Sequence, residues 1–487
     1  MLRRLSFLAG LFIFHLLFWR EAFGLNLILF SAAAILLLRK FNPVERREWL
    51  YLAPFIASTI GVVFIHSSFS LVGLFLTAIT YFGYIANREY SVVENFSNSA
   101  ISFFTLRDWE ISIPERYGLI KRPIPFGRKL SIAIIPSVIF ILFYSFFVKA
   151  NPVFEDLHHR TFAQFASFFE SVDRVWLMFM ILGTFIVRWA MLSTRPAYLQ
   201  FNPQDNLLRR SNRRIGRMST LKKEYYTAIL VFGSLNVLFF IVNIIDINYV
   251  WFQVSLSEEF SLKSFVYNGV GWLIAITLIS AGMLLYFFRG SLNFYPKNAW
   301  LKRLAIIWTV QNIVLSLSVS IRALHYIQFH GLAPLRIGVL LFTLIITIAL
   351  IAVILKITNI RTTAWVTRLT SSFAIITLGV CTLIPWNTWM ANHNLNHEMS
   401  NEIDLDYYLH LGPQTYPILY ANLDKIESQY EAHSANDVNW LHHDYGSFKK
   451  SLDRRTISFL WDYELHNTWQ SWTYADQRAY QKLKLIN

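Results

Sequence analysis

The chain reads as an all-α integral membrane protein of about eleven transmembrane helices, closed by a small helical C-terminal domain. Three observations predict this. Of 487 residues, 55% are hydrophobic and only 15% are charged, against roughly 25% charged in an average soluble domain. Apolar runs recur through the first four-fifths of the chain. The segments between them alternate between rich and poor in Lys and Arg.

The runs cover 6–19, 25–38, 49–65, 71–86, 130–148, 175–192, 225–247, 265–288, 304–323, 337–355 and 369–386. Crossing about 30 Å of hydrocarbon takes about 20 mainly apolar residues as a helix. Lipid offers backbone groups no partner, so each run is read as helix, and none alternates every second residue as a barrel strand would. The first two runs are short and are separated only by Arg20 to Gly24. A single helix would carry Arg20 and Glu21 through the membrane centre at a cost of several kcal/mol, so a hairpin is predicted. The first run begins like a secretory leader, but no small-residue cleavage site follows, and it is read as an anchor.

Orientation follows from the basic residues. One set of connecting segments, from Arg3–Arg4 through 39–47, 88–129, 195–223, 289–303 and 356–368, carries 28 Lys and Arg. The opposite set carries six: Arg20, Lys149, Arg160, Arg174, Lys263 and Arg336. The expectation is an inner (cell) membrane protein with a cytoplasmic N-terminus and, after eleven crossings, an extracytoplasmic tail. Trp19, Trp49, Trp176, Trp251, Trp386 and Trp389 fall at run ends, where indole sits well among headgroups.

The basic stretch 207–223 and the net charge of +14 are explained by cytoplasmic loops resting on anionic lipid. No nucleic-acid partner is expected. One cysteine, Cys381, excludes an internal disulfide and a thiolate zinc site. No motif indicates a cofactor, and no inverted pair of interrupted spans of the secondary-transporter kind is present.

The chain is read as two domains, a bundle over 1–386 and a helical extracytoplasmic domain over 387–487. The second carries eight basic and 13 acidic residues and no run long enough to span. Ile418, Leu419, Leu423 and Ile426 mark one helix, Leu452, Ile457, Leu460 and Trp461 another, and Thr473 with Asp476 opens a third running to Leu483.

Three arrangements of polar residues are candidates for function. Asp246 and Arg322 end two runs on the same side and are placed to pair, with Asn236, Asn243, Gln311 and Asn312 deeper on those helices and His325 one turn beyond Arg322. Ionisable residues within a membrane mark ligand cavities; the plainer reading of the amides is interhelical hydrogen bonding at about 1 kcal/mol each. All thirteen histidines fall outside or in the outer parts of the runs under this threading. Weak metal-ligand candidates among them are His158-His159 and His442-His443-Asp444, although nothing has the spacing of a zinc motif. Glu155 and Asp156 are weak catalytic candidates, since clustered outer carboxylates can bind a cation or act as a base.

Several stretches carry a resemblance. They are 149–154 (Lys-Ala-Asn-Pro-Val-Phe), 243–251, 267–270, 322–326 and 330–336, then 404–409, Gly412-Pro413, Trp472, Tyr474 and 478–480. Together they resemble bacterial multi-pass membrane proteins grouped only as domains of unknown function, of the 4173 and 4153 type. Ala333 and Asn268 depart from that pattern, where relatives favour a hydroxyl and a charged or polar side chain. The resemblance implies a polytopic inner-membrane protein with its tail across the membrane, and implies no reaction. Two function classes follow. One is a non-enzymatic carrier, permease-like or envelope-sensing component. The other is an enzyme acting on lipid-linked or envelope substrates at the outer face.

Overall fold

The computed structural model describes residues 2–39, 45–104, 174–191, 205–206, 217–252, 262–288, 291–396, 405–434 and 445–486. Among them the elements are helices, apart from one isolated bridge between Asn206 and Arg361. Among the described residues six helices are long and apolar enough to cross a membrane: Arg46–Ile65, Ser68–Ala86, Glu224–Asp246, Ala299–Gln328, Pro334–Asn359 and Thr363–Cys381. Four other expected spans correspond to apolar stretches, Phe7–Phe18, Leu25–Leu37, Val175–Trp189 and Leu273–Phe287, within the helices Leu2–Phe18, Leu25–Arg39, Arg174–Met191 and Leu262–Phe287. The run at 130–148 lies outside the described residues.

The chain divides into two compact units. The first comprises Met1–Val63, Ser70–Gln200 and Thr468–Thr473. Its helices are α1 (Leu2–Phe18), α2 (Leu25–Arg39), α3 (Trp49–Ile65), α4 (Ser68–Ala86), α5 (Val92–Phe104) and α6 (Arg174–Met191). As expected, α1 and α2 are separate, and the break passes through Arg20 at φ +60°. Buried Asn26 organises that break. Its amide donates to Leu17 O and Ala22 O, and its Oδ1 accepts from Gly24 N. The first N–H groups of α2 meet tail carbonyls: Leu25 N donates to Trp472 O at 2.9 Å and Asn26 N to Gln470 O at 2.8 Å. Helix starts leave such donors without intrahelical partners.

This seat is close enough to exclude a methyl group. A Cβ on Gly24 would lie 2.3 Å from Ser471 O. Gly24→Ala is expected to cost about 1–3 kcal/mol through overpacking and to loosen residues 468–473. Limited proteolysis there should accelerate; an unchanged cleavage rate would contradict the seating.

α3 and α4 face each other through stacked Tyr51 and Tyr84, with centroids 4.4 Å apart, and through a 2.6 Å Ser58–Thr77 hydroxyl pair. Aromatic rings from α1, α2 and α6 (Phe14, Phe18, Phe30, Phe179) fill the other core of this unit.

The second unit comprises Phe64–Phe69, Phe201–Asn467 and Tyr474–Asn487. Its long helices are α7 (Arg217–Asp246), α8 (Leu262–Phe287), α9 (Ala299–His330), α10 (Pro334–Asn359) and α11 (Thr363–Cys381). A π-turn over Ile247–Trp251 continues α7. α9 is central and packs on α7, α8 and α10. Gly331 at φ +74° ends α9 and Pro334 opens α10, the expected order of stop and start residues. Arg336 donates to His330 O and Gly331 O and lies over the Tyr326 ring. It thereby covers carbonyls at the α9 C-terminus, where cations are favoured.

The tail helices of this unit are α12 (Trp386–Asn396), α13 (Leu405–His410), α14 (Tyr416–Tyr420), α15 (Leu423–Ser434), α16 (Tyr445–His466) and α17 (Tyr474–Leu483). Their core of Leu405, Tyr408, Leu419, Ile426, Phe448 and Leu452 is continuous with Ile327, Leu332 and Ile337 around the α9–α10 turn. Asn394 clamps that turn, accepting from Leu332 N at 2.6 Å and donating to Leu332 O at 2.9 Å. Burial pushes the Tyr420 phenol up to about 12, and the phenol donates to Asp453.

Three expectations are corrected. The helix read through 418–426 is two helices, α14 and α15, with Ala421 and Asn422 between them. α16 forms where expected, but Ile457 and Trp461 are exposed, and Phe448 and Leu452 supply its buried face. Lys356, counted as a loop charge, lies buried in α10 and donates to Phe288 O, just past the end of α8, at 2.7 Å. An ammonium satisfies a C-terminal carbonyl there.

Candidate functional site

The seam between α7 and α9 begins with two asparagines seven residues apart. Asn236 Nδ2 donates to Leu304 O at 3.0 Å and Asn243 Nδ2 to Gln311 O at 3.2 Å. The sequence offset is 68 in both bonds, so α7 and α9 run parallel in one register, with α8 as the return helix. Trp251 Nε1 on Ser318 Oγ, at 2.9 Å, continues the match. A seven-residue repeat is the signature of a left-handed helical seam.

At the C-terminal end of this seam the side chains of Asp246 and Arg322 meet. Arg322 Nη2 donates to Asp246 Oδ1 at 2.5 Å, and each side chain is about 5% exposed. The pairing anticipated from the two run ends is present. The amides are arranged less symmetrically. Asn243 reaches the backbone of Gln311 rather than its side chain, and Asn312 Nδ2 turns back to Trp308 O on its own helix at 2.7 Å. His325 is half-buried on α9, three residues past Arg322.

The remaining polar atoms share one character. Every amide nitrogen named above is committed to a backbone carbonyl, which fixes the orientation of each amide group. What the seam presents besides is mainly oxygen: Asn236 Oδ1, Asn243 Oδ1, Gln311 Oε1, Asn312 Oδ1 and Asp246 Oδ2 are buried and accept nothing from the described residues, alongside one buried donor, Trp308 Nε1. Hydroxyls extend the polar strip to α10, where Ser320 Oγ meets Thr343 Oγ1 at 2.8 Å. Buried acceptors without donors are costly, so this interior suits a cation or a hydrogen-bond donor.

A second polar cluster was not legible in the sequence. His66, at φ +48° in the α3–α4 turn, binds Asp476 Oδ2 through Nδ1. Gln414 Nε2 donates to Asp476 Oδ1 at 2.7 Å. Asp476, read as a helix-opening residue of α17, therefore serves a contact 410 positions distant in the chain.

Glu155, Asp156, His158, His159, His442, His443 and Asp444 all lie outside the described residues. Among the described residues no group of three or more His, Cys, Asp or Glu side chains is placed to hold a metal ion.

The family described as "Domain of unknown function (DUF4153)" matches residues 7–422. The chain belongs to this family. The match covers the resemblances from 149 to 413, and the α7–α9 seam lies wholly inside it. The DUF4153 region ends within the tail, just before α15, and leaves α16 and α17 beyond it. No curated protein and no solved structure matches the chain.

Proposed function

We propose that this membrane protein is a non-enzymatic, carrier-like component whose α7–α9 seam takes up a small cation or a solute rich in hydrogen-bond donors. The observation carrying this reading is the row of buried acceptor oxygens beside the Asp246–Arg322 pair. Asp246 and Arg322 neutralise one another, so the interior is acceptor-rich without a large net charge. That combination favours weak, reversible binding over a permanently held ion.

The threading belongs to the same proposal: eleven crossings, N-terminus in the cytosol, tail outside the inner membrane, anionic lipid against the basic loops. Its support is the turns that the tail touches. Thr468 donates to Glu21 in the α1–α2 break, Asp476 meets His66 in the α3–α4 turn, and Asn394 holds Leu332 in the α9–α10 turn. All three turns belong to the segments poor in Lys and Arg. Cysteines introduced at 212 and 435, in a Cys381→Ser background, test it by labelling in intact cells. The reading requires modification at 435 and protection at 212.

For the seam, thermal unfolding of the purified protein in sodium, potassium, ammonium or choline chloride at matched ionic strength is the direct measurement. A ligand at 100 times its Kd stabilises by about 2.7 kcal/mol, so at least one small cation should raise the melting temperature. Asn243→Ala should remove that increment. Equal melting in all four salts would overturn the cation reading. Flux of the stabilising cation into proteoliposomes then separates a carrier from an envelope sensor.

A further inference from the structure

Buried residues of α7 recur three and four apart: Phe232, Asn236, Phe239, Asn243 and Asp246. On α8 the same spacing gives Thr277, Ser280 and Leu284, and on α9 it gives Trp308, Asn312 and Leu315. Such spacing puts each set on one helix face. The apolar members belong to a single core, which also takes in Leu273, one turn before Thr277. The polar members are therefore interleaved with that core, and three helices turn oxygen-bearing side chains toward one interior.

The donors of this interior are largely spent on the helices' own backbones. Thr277 Oγ1 donates to Leu273 O at 2.8 Å, Thr309 Oγ1 to Ala305 O at 2.7 Å and Asn312 Nδ2 to Trp308 O at 2.7 Å. Lone pairs remain on the hydroxyls, beside the buried oxygens of Asn243, Asn312 and Asp246 that accept nothing from the described residues. The buried donor among them, Trp308 Nε1, suits one acceptor, such as a water oxygen carried in with an ion.

Space and charge choose the occupant. The Trp308 ring meets Phe232 at 5.2 Å and Phe239 at 5.6 Å across the seam. Asn243 and Asn312 each stand one turn beyond Phe239 and Trp308, so they are neighbours over that closed aromatic floor. Leu315 packs into the same core just past Asn312. Room between such neighbours is on the scale of an ion, not of an extended solute. The cost of removing an ion from water rises steeply with its charge, and calcium and magnesium sites meet it with carboxylates. Asp246 already faces Arg322, so neutral oxygens beside a balanced carboxylate match a single positive charge. A spherical ion also needs no particular donor directions.

We propose that the ligand of the α7–α9 seam is a partly dehydrated alkali-metal cation, bound between Asn243 Oδ1 and Asn312 Oδ1 beside Asp246 Oδ2, with Thr277 Oγ1 added from α8. This rests on the seam reading above and narrows it: divalent ions and donor-rich solutes are excluded, and α8 becomes part of the site.

The test is equilibrium binding of radioactive sodium and rubidium to the full chain in detergent, with choline chloride holding ionic strength constant. At least one of the two should bind saturably and be displaced by unlabelled alkali chloride, but not by magnesium, calcium or choline. Asn312→Leu should weaken that binding by roughly tenfold or more, as when one charge-assisted contact is lost. Its melting temperature in choline should hold or rise, because an apolar group of similar volume replaces a buried acceptor without a donor. A purely structural asparagine would give the opposite pair of results, a lower melting temperature with unchanged binding. Thr277→Val, nearly isosteric, should weaken binding several-fold and serves equally if the leucine variant does not fold. Thr358→Val, on the exposed face of α10, should alter neither quantity. Displacement by magnesium or calcium, or alkali binding that both site variants leave intact, would overturn the proposal. Stabilisation by ammonium without alkali binding would overturn it while leaving the seam reading in place. Indifference to every cation would remove the cation reading of the seam as well.

Discussion

Arg322→Gln is expected to destabilise the protein by about 3–5 kcal/mol, the usual consequence of removing one partner of a buried ion pair. The Asp246 carboxylate would be left buried, with one oxygen already lacking a donor and the other newly abandoned. Asp246→Asn should cost less, since an amide oxygen still accepts from the guanidinium. The double change Asp246→Asn with Arg322→Gln should recover most of the loss, because no uncompensated charge remains. Urea or thermal unfolding in detergent gives the coupling energy directly. Additive single changes, each below about 0.5 kcal/mol as at ordinary surface sites, would show that the pair is not buried as described. The exchange Asp246→Arg with Arg322→Asp asks a further question: whether stability follows the pair and ligand response follows its orientation.

Phe448→Ala is expected to cost about 3–5 kcal/mol, as for other fully buried aromatic truncations. Phe448 is fully buried in the tail core, and that core includes Ile327, Leu332 and Ile337 of the α9–α10 turn. Hydrogen exchange should therefore quicken at 327–337 as well as within α16. Trp461→Ala on the same helix should change stability in detergent by less than about 0.5 kcal/mol. Equal losses from the two changes would mean that the buried and exposed faces of α16 are misassigned.

The comparison of α16 with its sequence shows what was legible and why. Apolar spacing at 452, 457, 460 and 461 identified the helix, but a helix with two apolar faces gives no sign of which one meets protein. The α1–α2 break was legible because Arg20 and Glu21 make an unbroken helix costly in lipid. The Asp246–Arg322 pair was legible because both charges end apolar runs on one side, and lipid leaves a charge few other partners. The asparagine bonds were not legible, since they depend on the axial register of two helices separated in sequence by a third. Lys356 was misplaced for a related reason: its acceptor, Phe288 O, is a backbone atom and leaves no trace in the residue types. The His66–Asp476–Gln414 cluster joins three distant segments; the sequence marks Asp476 for helix initiation and His66 as one of the outer histidines, and nothing in it joins the two.

The matched bonds of Asn236 and Asn243 restrict how α9 can move. A slide of α9 along α7 by half a turn, about 2.7 Å, would take Leu304 O and Gln311 O away from the two amides and leave Asn243 without that acceptor, while Asn236 keeps its bond to Phe232 O on its own helix. A slide of one full turn, about 5.4 Å, would bring other backbone carbonyls to the same face only by crossing that barrier. Piston motion is therefore disfavoured, and the two helices behave as one strut. Any opening of the polar interior then has to come from the strut pivoting against α8 or α10, where hydroxyl pairs such as Ser320–Thr343 can exchange partners at little cost.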